Sequence, residues 1–293
     1  NRSYRLDGEI ASNLKYSAEL LGKDHYLYQP TLAKYYYFLS YTYYLKDRYA
    51  EDDSLLNLAI GAVNKAIVID STVAEFWRAK GLYLSMQYRE EESLKAKMKA
   101  LSLAPERASL YATVGFQYAL LKNYNKARSY LDTAIIKDPD NPWGYEYIAY
   151  VYKQQARYDE GLNWINKALA IDSNNYANFW ITKGEILNRL GRHPEAMACY
   201  SRAIAIEPGH KLWYQTKASA YNDYLHDYKS GLLYLDSALL LAPDDEFLLQ
   251  GKALTYWRLG EGNEGIEVID KALRLPKQQY SFLSHGIKGS LYG

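Results

Sequence analysis

Large and small side chains alternate along this chain in a fixed order. From Trp77, a large residue is followed four positions on by a small one, Gly81, and three further by a large one, Leu84. Spacings of four and three place all three on one face of a helix. After a turn the order inverts: Ala127, Leu131 and Ala134 read small, large, small at the same spacings. This predicts a second helix that approaches the first closely at its small residues. Turn chemistry separates the two, as in Lys122-Asn123-Tyr124 and Leu190-Gly191-Arg192, and Asp138-Pro139 or Glu207-Pro208 stops the second helix.

The unit then recurs. The slots Trp77, Gly81, Leu84, Ser93, Ala100 and Pro105 reappear as Tyr111, Gly115, Tyr118, Ala127, Ala134 and Pro139, a shift of 34 residues. Further copies begin at Tyr145, Trp180, Tyr214 and Leu249, the copy at Tyr214 carrying one extra residue near His226. An earlier, irregular copy holds Tyr36, Ser40, Tyr43, Ala59, Ala66 and Ser71, with about seven added residues around Asp47 to Asp53 that are expected to widen the loop between its helices. One slot is out of character. Lys97 stands where other copies have Leu131, Ile165, Tyr200, Leu235 and Ile269, and the expectation is that it snorkels outward.

This pattern resembles the tetratricopeptide repeat, above all in Tyr111 to Pro139 and Trp180 to Pro208. The resemblance implies an all-α fold, a right-handed α-solenoid of stacked antiparallel helix pairs. One solenoid is expected over 1–277: a half repeat at 3–24, where Ala11 and Ala18 lie seven apart; the irregular repeat at 33–71; and six regular repeats at 74–107, 108–141, 142–176, 177–210, 211–245 and 246–277. Residues 278–293 read as a capping helix whose Tyr280, Leu283 and Ile287 would cover the last repeat's apolar surface.

Composition narrows the functional classes. With 293 residues, 48% of them hydrophobic, the chain exceeds what one compact core usually serves, which a repeat architecture resolves. A net charge of +1 from 35 basic and 34 acidic residues supplies no field to gather nucleic acid. A single cysteine, Cys199, excludes an internal disulfide framework and a cysteine-based zinc site. No apolar run reaches the roughly 20 residues of a membrane helix, so a soluble chain without direct membrane insertion is expected; the compartment stays open, the cytoplasm slightly favoured over the periplasm. Position 1 is Asn and not Met, which suggests a portion of a longer or processed product.

Catalytic chemistry finds no foothold. The histidines His25, His193, His210, His226 and His285 stand far apart, and His193 takes a turn position held by Tyr124 and Tyr158 in other copies. No glycine-rich phosphate loop is present, and Cys199 has no base in sequence reach. No enzyme activity, cofactor or metal is expected.

The resemblance implies that first helices line a concave groove. Positions just after the large slot, and four and seven beyond it, then give the candidate partner-binding residues: Tyr37, Tyr41, Tyr44, Arg78, Leu82, Phe116, Glu146, Tyr150, Lys153, Asn188, Asn222 and Trp257, with Arg189 and Arg258 beside them. Apolar anchors precede amide and guanidinium donors, an order suited to a peptide or helix of a protein partner. The Lys, Asn and Arg set with which some family members clamp a terminal carboxylate is absent; those places carry Arg78, Leu82, Ser109 and Thr113. Exposed aromatics also admit a second copy of the chain, a homo-oligomer. The irregular repeat is similar to the first repeat of tetratricopeptide regions in some bacterial transcriptional regulators and cyclases, which implies the alternative of a sensory or regulatory region with an effector domain upstream.

Overall fold

A computed structural model describes residues 2–23, 27–50, 53–275, 284, 287 and 288; among these the regular structure is entirely helical. The chain divides into two compact units, Asn1–Val151 and Tyr152–Gly293. The first holds α1 (Arg2–Leu21), α2 (Tyr28–Ala50), α3 (Asp53–Ile69), α4 (Ala74–Met86), α5 (Glu90–Leu103), α6 (Ala108–Leu120), α7 (Tyr124–Lys137) and most of α8 (Pro142–Gln154). The second holds the end of α8, then α9 (Tyr158–Ile171), α10 (Ala177–Arg189), α11 (His193–Ile206), α12 (Lys211–Ala220), a π-helical turn (Tyr221–Leu225), α13 (Tyr228–Leu241), α14 (Glu246–Leu259) and α15 (Gly262–Leu273). Within each unit successive helices pair and stack.

The small slots explain the pairing. Gly81, Gly115 and Gly184 leave room on the first helix for the large residue of the second: a Cβ on each would fall 2.7 Å from Lys97, 2.7 Å from Leu131 and 2.5 Å from Tyr200. Leu131 and Tyr200 are almost wholly buried there, and burying a side chain of that size is worth about 1.5–3 kcal/mol. The large opening slot locks the pair to the preceding turn. Trp77 donates from Nε1 to the Ser71 carbonyl at 2.9 Å, and Trp180 to the Ser173 carbonyl at 2.8 Å.

From α4 on, each turn between paired helices closes on a left-handed residue: Tyr88, Lys122 and Ala156 in one set, then Gly191, His226 and Gly260. The next amide reaches back to a carbonyl of the last turn, as Arg89 N–H to Leu84, Asn123 to Tyr118, Arg157 to Tyr152, Arg192 to Leu187 and Glu261 to Tyr256. Four of the six left-handed residues carry a Cβ, at about 1–2 kcal/mol each.

Two details depart from the expectations, and a third, the extra residue near His226, is placed by the structure. Lys97 does not snorkel: it is 6% exposed, and its Nζ donates to Gln117 Oε1 at 2.6 Å. The missing Cβ of Gly81 opens a path inward, and Gln117 on α6 supplies the acceptor. The extra residue near His226 sits in no loop; the π-helical turn absorbs it, so that Asp227 N–H reaches the Tyr221 carbonyl. In the irregular repeat α2 continues to Ala50 and α3 starts at Asp53, so the added residues lengthen helices more than they widen the loop. Of the segment expected to cap the chain, Tyr280 and Leu283 lie outside the described residues. Ile287 packs on the cluster of Leu249, Ala253, Ile269 and Ala272, and buried Ser284 accepts from Gln250 Nε2 at 2.8 Å and donates to Glu246 Oε1 at 3.1 Å.

Candidate binding site on the first-helix face

In the first unit the aromatic candidates are half-buried and packed on one another. Tyr37 lies 5.3 Å from Phe76, Tyr44 lies 5.5 Å from Tyr83, and Tyr41 lies 5.7 Å from Tyr44. Tyr37, Tyr44 and Leu82 border the core formed by Ala59, Val63, Ala66 and Phe76. Tyr83 itself is fully buried, with Ser40 in hydrogen-bond reach of its hydroxyl at 3.2 Å, and burial raises its pKa above the usual phenol range. Phe116 stacks on Tyr147 at 4.4 Å and meets Tyr150 edge-on at 5.2 Å. Arg78 is half-buried beside them on α4, whereas Glu146 is 5% exposed.

In the second unit part of the first-helix face is open. Between the end of α8, α10 and α12 lies a basin of about 640 Å³, lined by Lys153, Gln154, Tyr158, Glu185, Asn188, Arg189, Gln215, Thr216, Ser219, Asp223 and Tyr224 among others. Lys153 bridges to Glu185 at 2.5 Å, and Arg258 to Asp223 at 2.8 Å. A second basin, about 220 Å³, shares Gln215 and Ser219 with the first and continues over Leu235, Phe247, Gly251, Leu254 and Ile287. Phe247 and Trp257 are about half exposed, so α14 presents large apolar surface next to the polar basin.

Glu146 requires correction as a ligand-facing residue, because it is buried in helix packing; Asn188 and Asn222 border the basins but are largely buried, with their amides engaged by neighbouring helices. Asn188 donates from Nδ2 to the Tyr200 hydroxyl at 2.9 Å and faces His193 Nδ1 with Oδ1 at 3.1 Å. Asn222 donates to Thr255 Oγ1 at 2.9 Å, and its amide occupies the space a Cβ on Gly231 would take. The reason is angular. Each helical residue turns by about 100°, so the third position of a triplet rotates toward the second helix while the residue after it stays open. The open face runs through the expected Glu185, Gln215 and Ser219 and then through Arg189 and Asp223, one residue beyond Asn188 and Asn222. Gln154, Thr216, Asp223 and Tyr224 also line the basin and escaped the sequence reading; a one-residue shift of register would have found the first three.

Other singled-out groups serve packing. His193 lies 5.4 Å from the Tyr224 ring in the turn. Cys199 is a buried free thiol, and burial pushes its pKa up, against nucleophilic use. Among the described residues, no helix is long and apolar enough to cross a membrane.

Stacked helix pairs with an open first-helix face define a class, the helical-repeat proteins, and comparison with known proteins places the chain within it. The family model described as Tetratricopeptide repeat matches residues 145–175 and 177–210. Human Tetratricopeptide repeat protein 6 is 28% identical over 176 residues, 58% of this chain and 33% of that protein. Human Protein O-mannosyl-transferase TMTC1 is 23% identical over 169 residues, 56% of this chain and 19% of that protein. The crystal structure of yeast Tom70 superposes with a TM-score of 0.72 at 19% identity, over 98% of this chain and 59% of that one. Residues 145–175 and 177–210 are tetratricopeptide repeats, the described chain has the fold of such repeat solenoids, and its matches span a third or less of the two human relatives.

Proposed function

We propose that this chain is a non-catalytic protein–protein interaction scaffold that holds a peptide or helix of a partner protein on the first-helix face of its second unit. The observation that carries this reading is the pair of joined basins, about 640 and 220 Å³, one polar and the other bordered by exposed Phe247 and Leu254. Interfaces draw their affinity from a few buried apolar or aromatic anchors surrounded by polar contacts, and these basins offer both. Nothing in them resembles a nucleophile with its base. Supporting the same reading, the fold is that of tetratricopeptide-repeat proteins, whose stacked helices create extended binding surfaces.

A test is selection of peptides of about 12 residues from a displayed random library on the full chain, followed by binding to Ser219→Trp. Ser219 is exposed and lines both basins, so an indole there fills the site without disturbing the core. Selected peptides are expected to lose binding to a variant that keeps its circular dichroism and melting temperature. Equal binding to both proteins overturns the site.

A further inference from the structure

The charges around the polar basin are unevenly compensated. Lys153 is neutralised by Glu185, and Asp223 by Arg258. Nearby, Arg192 is bound to Glu195, and Lys211 to Asp245. Arg189, on the last turn of α10, lines the same basin, is exposed, and takes part in no hydrogen bond or ion pair among the described residues. The carboxylates that could repel an incoming anion are thus already spoken for, and one guanidinium is left over. Around it stand Gln215, Thr216, Ser219 and the Tyr224 hydroxyl, none with a hydrogen-bond partner among the described residues. All of them can donate.

Beyond Gln215 and Ser219 the surface changes character. The adjoining basin is bordered by Leu235, Phe247, Leu254 and Ile287, with Phe247 53% and Leu254 36% exposed. Because Gln215 and Ser219 belong to both basins, a single extended segment can occupy the two at once.

We infer that the ligand of this face is an acidic–apolar peptide: a segment whose Asp or Glu carboxylate pairs with Arg189 while a large apolar side chain a few residues away covers Phe247 and Leu254. This rests on the proposed peptide-binding role and adds the identity of the segment. A guanidinium takes a carboxylate through two parallel N–H···O bonds. The free donors of Gln215, Thr216 and Ser219 serve backbone carbonyls between the two anchors. A cationic peptide finds no unpaired carboxylate in the basin. A wholly apolar one leaves the guanidinium and the surrounding amide unmatched, which costs affinity when they are desolvated.

The displayed random library decides the matter when run on the full-length wild type, on Arg189→Glu and on Leu254→Ser. Neither side chain is buried in the helix packing, so all three proteins are expected to share one melting temperature. The wild type is expected to enrich sequences with an Asp or Glu near a Leu, Ile, Phe or Trp. A synthetic fluorescent peptide of that consensus should weaken at least about fivefold on Arg189→Glu and lose its salt dependence; Arg189→Glu should in turn select Lys- or Arg-bearing sequences. Leu254→Ser should keep the acidic preference and lose the apolar one. Enrichment of neutral or basic sequences by the wild type, or an acidic preference that survives Arg189→Glu, overturns this inference and leaves the peptide-binding reading standing. No enrichment on the wild type overturns both. A phosphopeptide of the same sequence with phosphoserine for the acid separates side-chain carboxylate from phosphate: tighter binding through Arg189 reassigns the site to phosphate, and weaker binding supports the carboxylate.

Discussion

Lys97 is the place where the repeat works against itself, and replacing it by methionine should stabilise the protein in a pH-dependent way. The ammonium lies in a slot that other repeats fill with Leu131, Tyr200 or Ile269. Burial lowers its pKa from 10.5 to about 8, with Glu90 opposing. At 1.36 kcal/mol per pKa unit, that gap corresponds to about 3 kcal/mol of penalty carried by the folded state at pH 7. The ammonium also donates to Gln117 Oε1 at 2.6 Å, and Ser93 Oγ stands 2.8 Å from the same oxygen. Loss of the lysine therefore leaves Gln117 with an acceptor bond still available, and the forfeited hydrogen bond is worth about 1 kcal/mol. Lys97→Met should gain about 1–2 kcal/mol at pH 7. The sign with pH follows from proton counting. Below pH 8 both states hold the proton and the wild type bears the full penalty. Between about 8 and 10.5 the unfolded state binds the proton that the folded state has released, so wild-type stability from this group rises with pH. The methionine variant lacks that slope. Denaturant unfolding of both proteins at pH 7 and 9.5 should show the advantage shrinking by about 2 kcal/mol. A difference that stays constant across that range, or a variant less stable at pH 7, refutes the placement of Lys97 in the core.

Three further outcomes test the packing. Gly184→Ala drives a methyl to 2.5 Å from the Tyr200 ring and should cost about 1–3 kcal/mol by denaturant unfolding, whereas Gly209→Ala, with open space around it, should change stability far less. Ala156→Gly relieves a left-handed alanine at φ 56°; relief of about 1–2 kcal/mol, less the added unfolded-state entropy, should raise stability by about 0.5–1 kcal/mol. Tyr83→Phe removes the buried hydroxyl next to Ser40 and should cost about 0.5–1.5 kcal/mol, with the melting curve as readout.

Periodicity alone was enough to establish the helix pairs, because slots such as Trp77, Gly81 and Ala100 recur in register and only helices put spacings of four and three on one face. The small slots also marked where paired helices approach closely, and at one of them, Gly184, an added Cβ would fall 2.5 Å from Tyr200. The aromatic excess was legible in part, since Tyr111, Tyr118 and Tyr130 pack together as slot residues do. What only the tertiary structure decided is rotation and pairing. A single residue of register, about 100° around the helix, separates Asn188, buried with its amide on Tyr200, from Arg189, exposed beside it on the same basin. Nor does a sequence say that Lys153 and Arg258 have their partners while Arg189 has none among the described residues, because Glu185 and Asp223 arrive from other repeats more than 30 positions away. Lys97 makes the same point inside the core: a lysine in an apolar slot reads as a side chain bound for solvent until Gln117, on the next helix pair, is seen to receive it. Local pattern settles which face of a helix is small or large; the partners that neutralise a charge are set by how neighbouring repeats stack.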